Sequence, residues 1–88
     1  MPQDKVHVVR RSKDLGVALR EQRKSLGLTQ TGLSQRSAVN QGRISEIESG
    51  RCGTSIERLF DLIAALDLEL VVRPRTKSSV EDIVGLFT

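Results

Sequence analysis

Between Leu15 and Leu66 apolar residues recur at helical spacing, yet no run lasts more than about four turns before a breaker interrupts it. Gly27, the turn Ala38-Val39-Asn40 and the loop Gly50-Arg51-Cys52-Gly53 cut the stretch into four short helical segments. Helices this short are marginal alone, so each must bury a face against the others. The chain is 88 residues long, which gives room for one such bundle and no second domain.

The segment ends follow from capping chemistry. Ser12 is the expected N-cap of a first helix to about Leu26, with Leu15, Leu19 and Leu26 on one stripe beside Ala18. Arg20, Arg23 and Lys24 fall on its polar side, and Gly27 stops it. Thr29 caps a second helix through about Ser37, although Gly32 in its interior costs about 1 kcal/mol relative to alanine. Asn40 caps a third, from Gln41 to about Ser49, with Ile44 and Ile47 facing inward. Thr54 and Glu57 have the spacing of a capping box for a fourth, whose expected apolar face is Ile56, Leu59, Phe60, Ile63 and Leu66.

After Asp67 the period changes. Residues 68–73, Leu-Glu-Leu-Val-Val-Arg, read as a strand that Pro74 ends. Val6, Val8 and Val9, with His7 among them, form a second β-prone stretch, expected as an edge strand. Ser78 and Glu81 have capping-box spacing ahead of Val80, Ile83, Val84 and Phe87, so the last residues are either a short amphipathic helix or an unfolded tail. The expected organisation is an extended arm at 1–11, a helical domain at 12–67, a strand at 68–75 and a tail at 76–88. The expected fold class is mainly α, four to five short helices with one short C-terminal strand.

Charge is unevenly spread. The formal net charge is +3, but residues 1–54 carry ten Lys/Arg against five Asp/Glu, while residues 55–88 carry four against six. A basic front and an acidic rear suggest one face for a polyanion and another for a different partner. With two Phe and no Trp or Tyr, stacking platforms for single strands are not expected, which leaves duplex DNA. One cysteine cannot form a disulfide within the chain. No apolar run approaches 18 residues and the start, Met-Pro-Gln-Asp-Lys, does not read as a signal peptide, so a cytoplasmic chain without membrane contact is expected.

Three short helices around a turn, with polar residues crowded at the front of the third, describe a helix-turn-helix. Residues 15–50, LGVALREQRKSLGLTQTGLSQRSAVNQGRISEIESG, resemble the helix-turn-helix domain of the lambda-repressor and Xre family. The residues that carry the likeness are Arg20, Arg23, Gly27-Leu28-Thr29-Gln30, Leu33 and Ile44-Ser45-x-Ile47-Glu48-x-Gly50, and it continues to about Leu66. The resemblance implies that Gln41, Gly42, Arg43 and Glu46 face base edges in the major groove. It implies that Gln30 meets the DNA backbone and first bases, that Asn40 and Ser45 are phosphate contacts, and that Arg23 and Glu48 form an ion pair between helices 1 and 3. The chemistry fits, since Arg can take guanine O6 and N7, Gln can pair with adenine and Glu can accept from cytosine N4. Ala38 departs from the family's usual glycine, which implies a left-handed residue or a modified turn. Ser34 and Ser37 also depart, replacing the usual alanine and an apolar residue, and Gly42 offers a base no side chain.

The strand-like 66–75 region resembles the HipB-type antitoxins, in which such a strand pairs across the dimer axis. That resemblance implies a homodimer held through Leu68, Leu70, Val71 and Val72, and a HipA-type Ser/Thr kinase toxin as partner. The tail residues Val80, Ile83, Val84 and Phe87 are then candidates for docking that partner. The expected function is a repressor binding double-stranded operator DNA as the antitoxin of such a module and controlling its own operon. The alternative is a stand-alone Xre-family regulator without a toxin; a third class is a protein-bridging factor that uses the fold without DNA. No enzyme activity, cofactor or metal is expected: one His beside one Cys is no metal site, and Cys52 lacks a base.

Overall fold

The computed structural model describes residues 6–51 and 53–75, and contains four helices: α1 (Ser12–Ser25), α2 (Gln30–Ser37), α3 (Gln41–Glu48) and α4 (Ile56–Ala65). α1 and α2 both pack on α3, and α2 also packs on α4. One apolar cluster joins all four: Leu19, Leu33, Val39, Ile44, Ile47, Leu62, Ile63 and Leu66 are buried, with Leu15, Leu26, Leu28, Leu59 and Leu68 packed around them. This cluster holds helices that would not persist alone.

Two helix starts are set by the residues that capping chemistry picks. Thr29 Oγ1 accepts from the Gly32 amide at 2.9 Å, and Asn40 Oδ1 accepts from the Gly42 amide at 2.8 Å and the Arg43 amide at 3.3 Å. The other two differ from expectation. Ser12 is the first helical residue of α1 rather than its cap; the cap position is Arg11, which has no side-chain cap bond. Asp14 takes over by accepting from the Arg10 amide at 3.1 Å, a carboxylate placed well at a helix N-terminus. In α4 the cap is Ser55, whose oxygen accepts from the Arg58 amide at 3.2 Å, so the Thr54–Glu57 box is not formed.

The buried stripe of α4 is also turned from the expected one. Leu59, Leu62, Ile63 and Leu66 face the core, while Ile56 and Phe60 remain 63% and 47% exposed. The first turn of α4 therefore projects past the cluster. At the other end, Gln22 of α1 is buried and donates to the Leu66 carbonyl at 2.9 Å, which satisfies an acceptor left open at the C-terminus of α4.

The expected strands are corrected. Among the described residues there is no strand, either at 6–9 or at 68–75, and no fifth helix. A ladder needs a partner for its amides and carbonyls, and the two β-prone stretches of one chain do not provide it for each other. Leu68 packs against the core, whereas Leu70, Val71 and Val72 are 52%, 66% and 89% exposed. The capping box at Ser78 and Glu81 and the apolar residues Val80, Ile83, Val84 and Phe87 lie outside the described residues, as does Cys52.

Candidate nucleic-acid interface

The turn into α3 fixes which side chains reach outward. Ala38 adopts the left-handed conformation, φ 61° and ψ 17°, as the C-cap of α2. That conformation costs about 1–2 kcal/mol for a residue with a β-carbon, and buried neighbours hold it: Leu33 before the turn, Val39 within it and Ile44 after it. Ser37 is buried too, but its hydroxyl donates to the Leu33 carbonyl at 2.7 Å and accepts from the Val39 amide at 3.2 Å, so this polar group is satisfied.

With Ile44 and Ile47 buried, the opposite side of α3 presents Gln41, Gly42, Arg43 and Glu46 to solvent, and Ser45 is half-buried. Gly42 has a structural reason. A β-carbon there would stand 3.0 Å from Asn40 Oδ1, against the atom that caps the helix. Asn40 itself is exposed, with its side-chain oxygen committed to the cap. Arg43 and Glu46 lie side by side, Nη1 to Oε1 at 3.8 Å.

Behind this face runs a continuous polar chain. Arg23 donates from Nε to Glu48 Oε2 at 2.7 Å and from Nη2 to Glu48 Oε1 at 3.0 Å, a two-pronged pair between buried side chains. Arg23 Nη1 donates to the Leu28 carbonyl at 2.8 Å, which binds the α1–α2 loop to the same group. Glu48 Oε1 also accepts from Gln30 Nε2 at 3.1 Å, and Gln30 Oε1 accepts from Gln41 Nε2 at 3.1 Å. Gln30 therefore sits half-buried at the front of α2, between the ion pair and the exposed front of α3.

The structure brings Asn40, Gln41, Gly42, Arg43, Ser45 and Glu46 to one open depression, and adds Arg58. Arg58 and Arg43 also flank a second, smaller one with Gly53, Thr54 and Ser55. Sequence reasoning missed Arg58. A signal existed: a cation in the first turn of a helix opposes the helix dipole, so its place there favours some other role. Gln22 was missed as well, because a buried glutamine in an amphipathic stripe looks like any polar residue.

The dimerisation candidates are split, Leu68 in the core and Leu70, Val71 and Val72 on the surface. Among the described residues no group of three or more His, Cys, Asp or Glu is placed to hold a metal ion. No described helix is long and apolar enough to cross a membrane.

Comparison with known proteins points to the same fold. A family model described as Helix-turn-helix matches residues 19–72. A curated relative from Sinorhizobium fredii, an uncharacterized HTH-type transcriptional regulator, y4dL, is 40% identical over 57 residues, 65% of this chain. The chain spans 29% of that relative's length. Among solved structures, the restriction-modification controller protein C.AhdI from Aeromonas hydrophila is similar with a TM-score of 0.60 and 33% identity, over 62% of this chain and 83% of that one. A chain of the HipA–HipB–O2–O3 complex superposes with a TM-score of 0.72 over 81% of this chain and 100% of its own, at 21% identity, a likeness of fold.

Proposed function

We propose, from the premise that this chain belongs to the helix-turn-helix family, that it is a sequence-specific DNA-binding transcriptional regulator. The observation that carries this reading is the exposed front of α3: Gln41, Arg43 and Glu46 stand clear of the core on a helix that Asn40 caps and Ile44 and Ile47 anchor. A helix of this kind enters a major groove by its N-terminal end, where Gln, Arg and Glu can distinguish base edges. Arg58, beside Arg43 on the same side, adds a cation for the phosphates.

The regulator acts as a homodimer. Exposed Leu70, Val71 and Val72 follow directly on Leu68, which is packed against the core, so a second copy covering them would hold two copies of α3 at a fixed spacing. A two-fold dimer reads a near-palindrome with half-sites about one helical turn, or a multiple of about 10 bp, apart. The direct test is selection from a random duplex library on the purified chain, with bound DNA sequenced. Enrichment of a near-palindrome, with affinity that falls steeply as salt rises, supports the reading. A protein-bridging factor would enrich nothing and show no salt-dependent duplex binding.

The antitoxin role is a second reading, favoured by a superposition that extends over the whole of a chain from the HipA–HipB–O2–O3 complex. In it, residues 76–88 dock a Ser/Thr kinase while α3 holds operator DNA, and the complex represses its own operon. Deleting 76–88 should leave DNA affinity within a few-fold and abolish co-purification with a kinase encoded beside this chain. A stand-alone regulator would have no such neighbour and lose nothing on truncation.

A further inference from the structure

Resting on the DNA-binding reading above, we propose that Glu46 is a specificity gate on α3. It holds Arg43 back from unrelated DNA and gives it up where a base pair offers the carboxylate an amino group.

Two observations give Glu46 a role outside folding. Its pair with Arg43, Nη1 to Oε1 at 3.8 Å, joins side chains that are 47% and 52% exposed. An ion pair so open to water adds little to stability. Glu46 also falls in the last turn of α3, where the helix dipole opposes a negative charge. Glu48, in the same turn, is compensated by the buried Arg23 guanidinium. Glu46 instead lines the depression it shares with Gln41, Arg43 and Arg58, and is the one carboxylate among the described residues there.

Every duplex presents a dense array of phosphates, one charge per about 1.7 Å of axis. Cations in the depression are drawn to them whatever the sequence, so an Arg43 occupied by Glu46 weakens the attraction to all DNA. Base edges differ in what they offer the carboxylate. Cytosine N4 and adenine N6 carry protons that it accepts, whereas guanine O6 and N7 and thymine O4 are acceptors that oppose it. Three residues of helix, about 4.5 Å, separate Arg43 from Glu46. Base pairs are about 3.4 Å apart, so the two side chains reach the same base pair or the next. Where an amino group lies under Glu46, the carboxylate changes partner and Arg43 turns to the O6 and N7 of a guanine. On any other sequence the pair stays closed, and the face loses one cation for the phosphates.

The test measures the affinity of wild type and Glu46→Gln for two duplexes of equal length over a range of salt. One is the near-palindrome that wild type selects from a random library, the other an unrelated sequence. Glutamine keeps the size and one acceptor while removing the charge. Glu46→Gln should bind the unrelated duplex about five-fold or more tighter, with the slope of log affinity against log salt steeper by about 1. The selected site should change by no more than about two-fold, so that discrimination falls. In the wild-type pool one position of each half-site should hold cytosine or adenine, and in the Glu46→Gln pool guanine and thymine should rise there. A loss at the selected site with unrelated binding unchanged would make Glu46 an ordinary base contact, and that overturns the proposal. Equal tightening on both duplexes, or no change on either, overturns it too. The part played by Arg43 is checked in an Arg43→Ala background, where Glu46→Gln should tighten unrelated DNA by no more than about two-fold. An undiminished gain there overturns the pairing. If wild type selects no sequence at all, the DNA-binding reading itself fails, and the gate with it.

Discussion

Gly16 of α1 lies so close to Glu48 of α3 that a β-carbon on it would stand 2.5 Å from the Glu48 carbonyl oxygen. The Ile47 carbonyl oxygen is equally near. Seven residues on, two turns along the same face of α1, Arg23 reaches the Glu48 carboxylate. One helix thus meets the end of α3 by backbone contact at one point and by an ion pair at the other.

Gly16→Ala tests the first point, because two effects oppose each other in sign. Helix propensity alone favours alanine by about 1 kcal/mol. Overpacking against main-chain oxygens that cannot move aside costs about 1–3 kcal/mol. The clash should win, and urea denaturation should show a lower midpoint with an unchanged slope. A more stable Gly16→Ala protein would show that α1 and α3 do not approach this closely.

The ion pair is tested by a double-mutant cycle. The Arg23 and Glu48 side chains are 9% and 4% exposed, so removing one leaves the other charge buried without its partner. Glu48→Ala alone should cost about 3–5 kcal/mol. Arg23→Met with Glu48→Met should cost clearly less than the sum of the single changes, since no uncompensated charge remains. Additive losses would mean that the two side chains do not stabilise each other.

How far the sequence was legible depended on whether the decisive interaction was local. Thr29 and Asn40 cap helices through bonds spanning two or three residues, and their positions are apparent from the residue types. Ala38, standing where the resembling family has glycine, implied a left-handed residue or a modified turn, and it is left-handed. Ser12 and Ser55 were harder. At α1 the cap position falls on Arg11, which makes no side-chain cap bond, and Asp14 accepts from the Arg10 amide instead; at α4 Thr54 and Ser55 are adjacent candidates, and Ser55 is the cap. Ile56 and Phe60 fit the apolar spacing of α4, but spacing does not say where the core ends. The resemblance implied the Arg23–Glu48 pair, 25 residues apart, but the bonds through Gln30, between residues 11 and 18 apart, were invisible. Residues 68–73 have the residue pattern of a strand, yet a strand exists only with a mate, and no described segment of the chain pairs with them.

That segment gives the next prediction. Leu70 and Val72 are exposed in the single chain, so replacing both with Asp should change monomer stability by no more than about 0.5 kcal/mol. A second copy pressed against them would have to bury the new charges. Sedimentation should therefore show a dimer for wild type and a monomer for Leu70→Asp with Val72→Asp at equal concentration. A dimer unaffected by both substitutions would place the interface elsewhere, with the exposed Ile56 and Phe60 of α4 the next surface to probe.

Arg43 and Arg58 share a depression but should fail differently when removed. Arg43 stands on α3 among Gln41 and Glu46, where its guanidinium can take O6 and N7 of a guanine. Arg43→Ala should cost about 1–3 kcal/mol of binding and relax preference at one base pair. Arg58 lies in the first turn of α4, outside α3, and on the proposed reading it meets phosphates rather than a base. Arg58→Ala should weaken all duplexes by a similar factor and reduce the slope of log affinity against log salt by about 1. Lys24, exposed in the last turn of α1, is a comparison outside both depressions. Titrating the selected palindrome and its point variants at several salt concentrations separates the two roles. If Arg43→Ala lowers every affinity alike and Arg58→Ala shifts one base, the assignments must be exchanged, and α4 rather than α3 supplies the guanine reader.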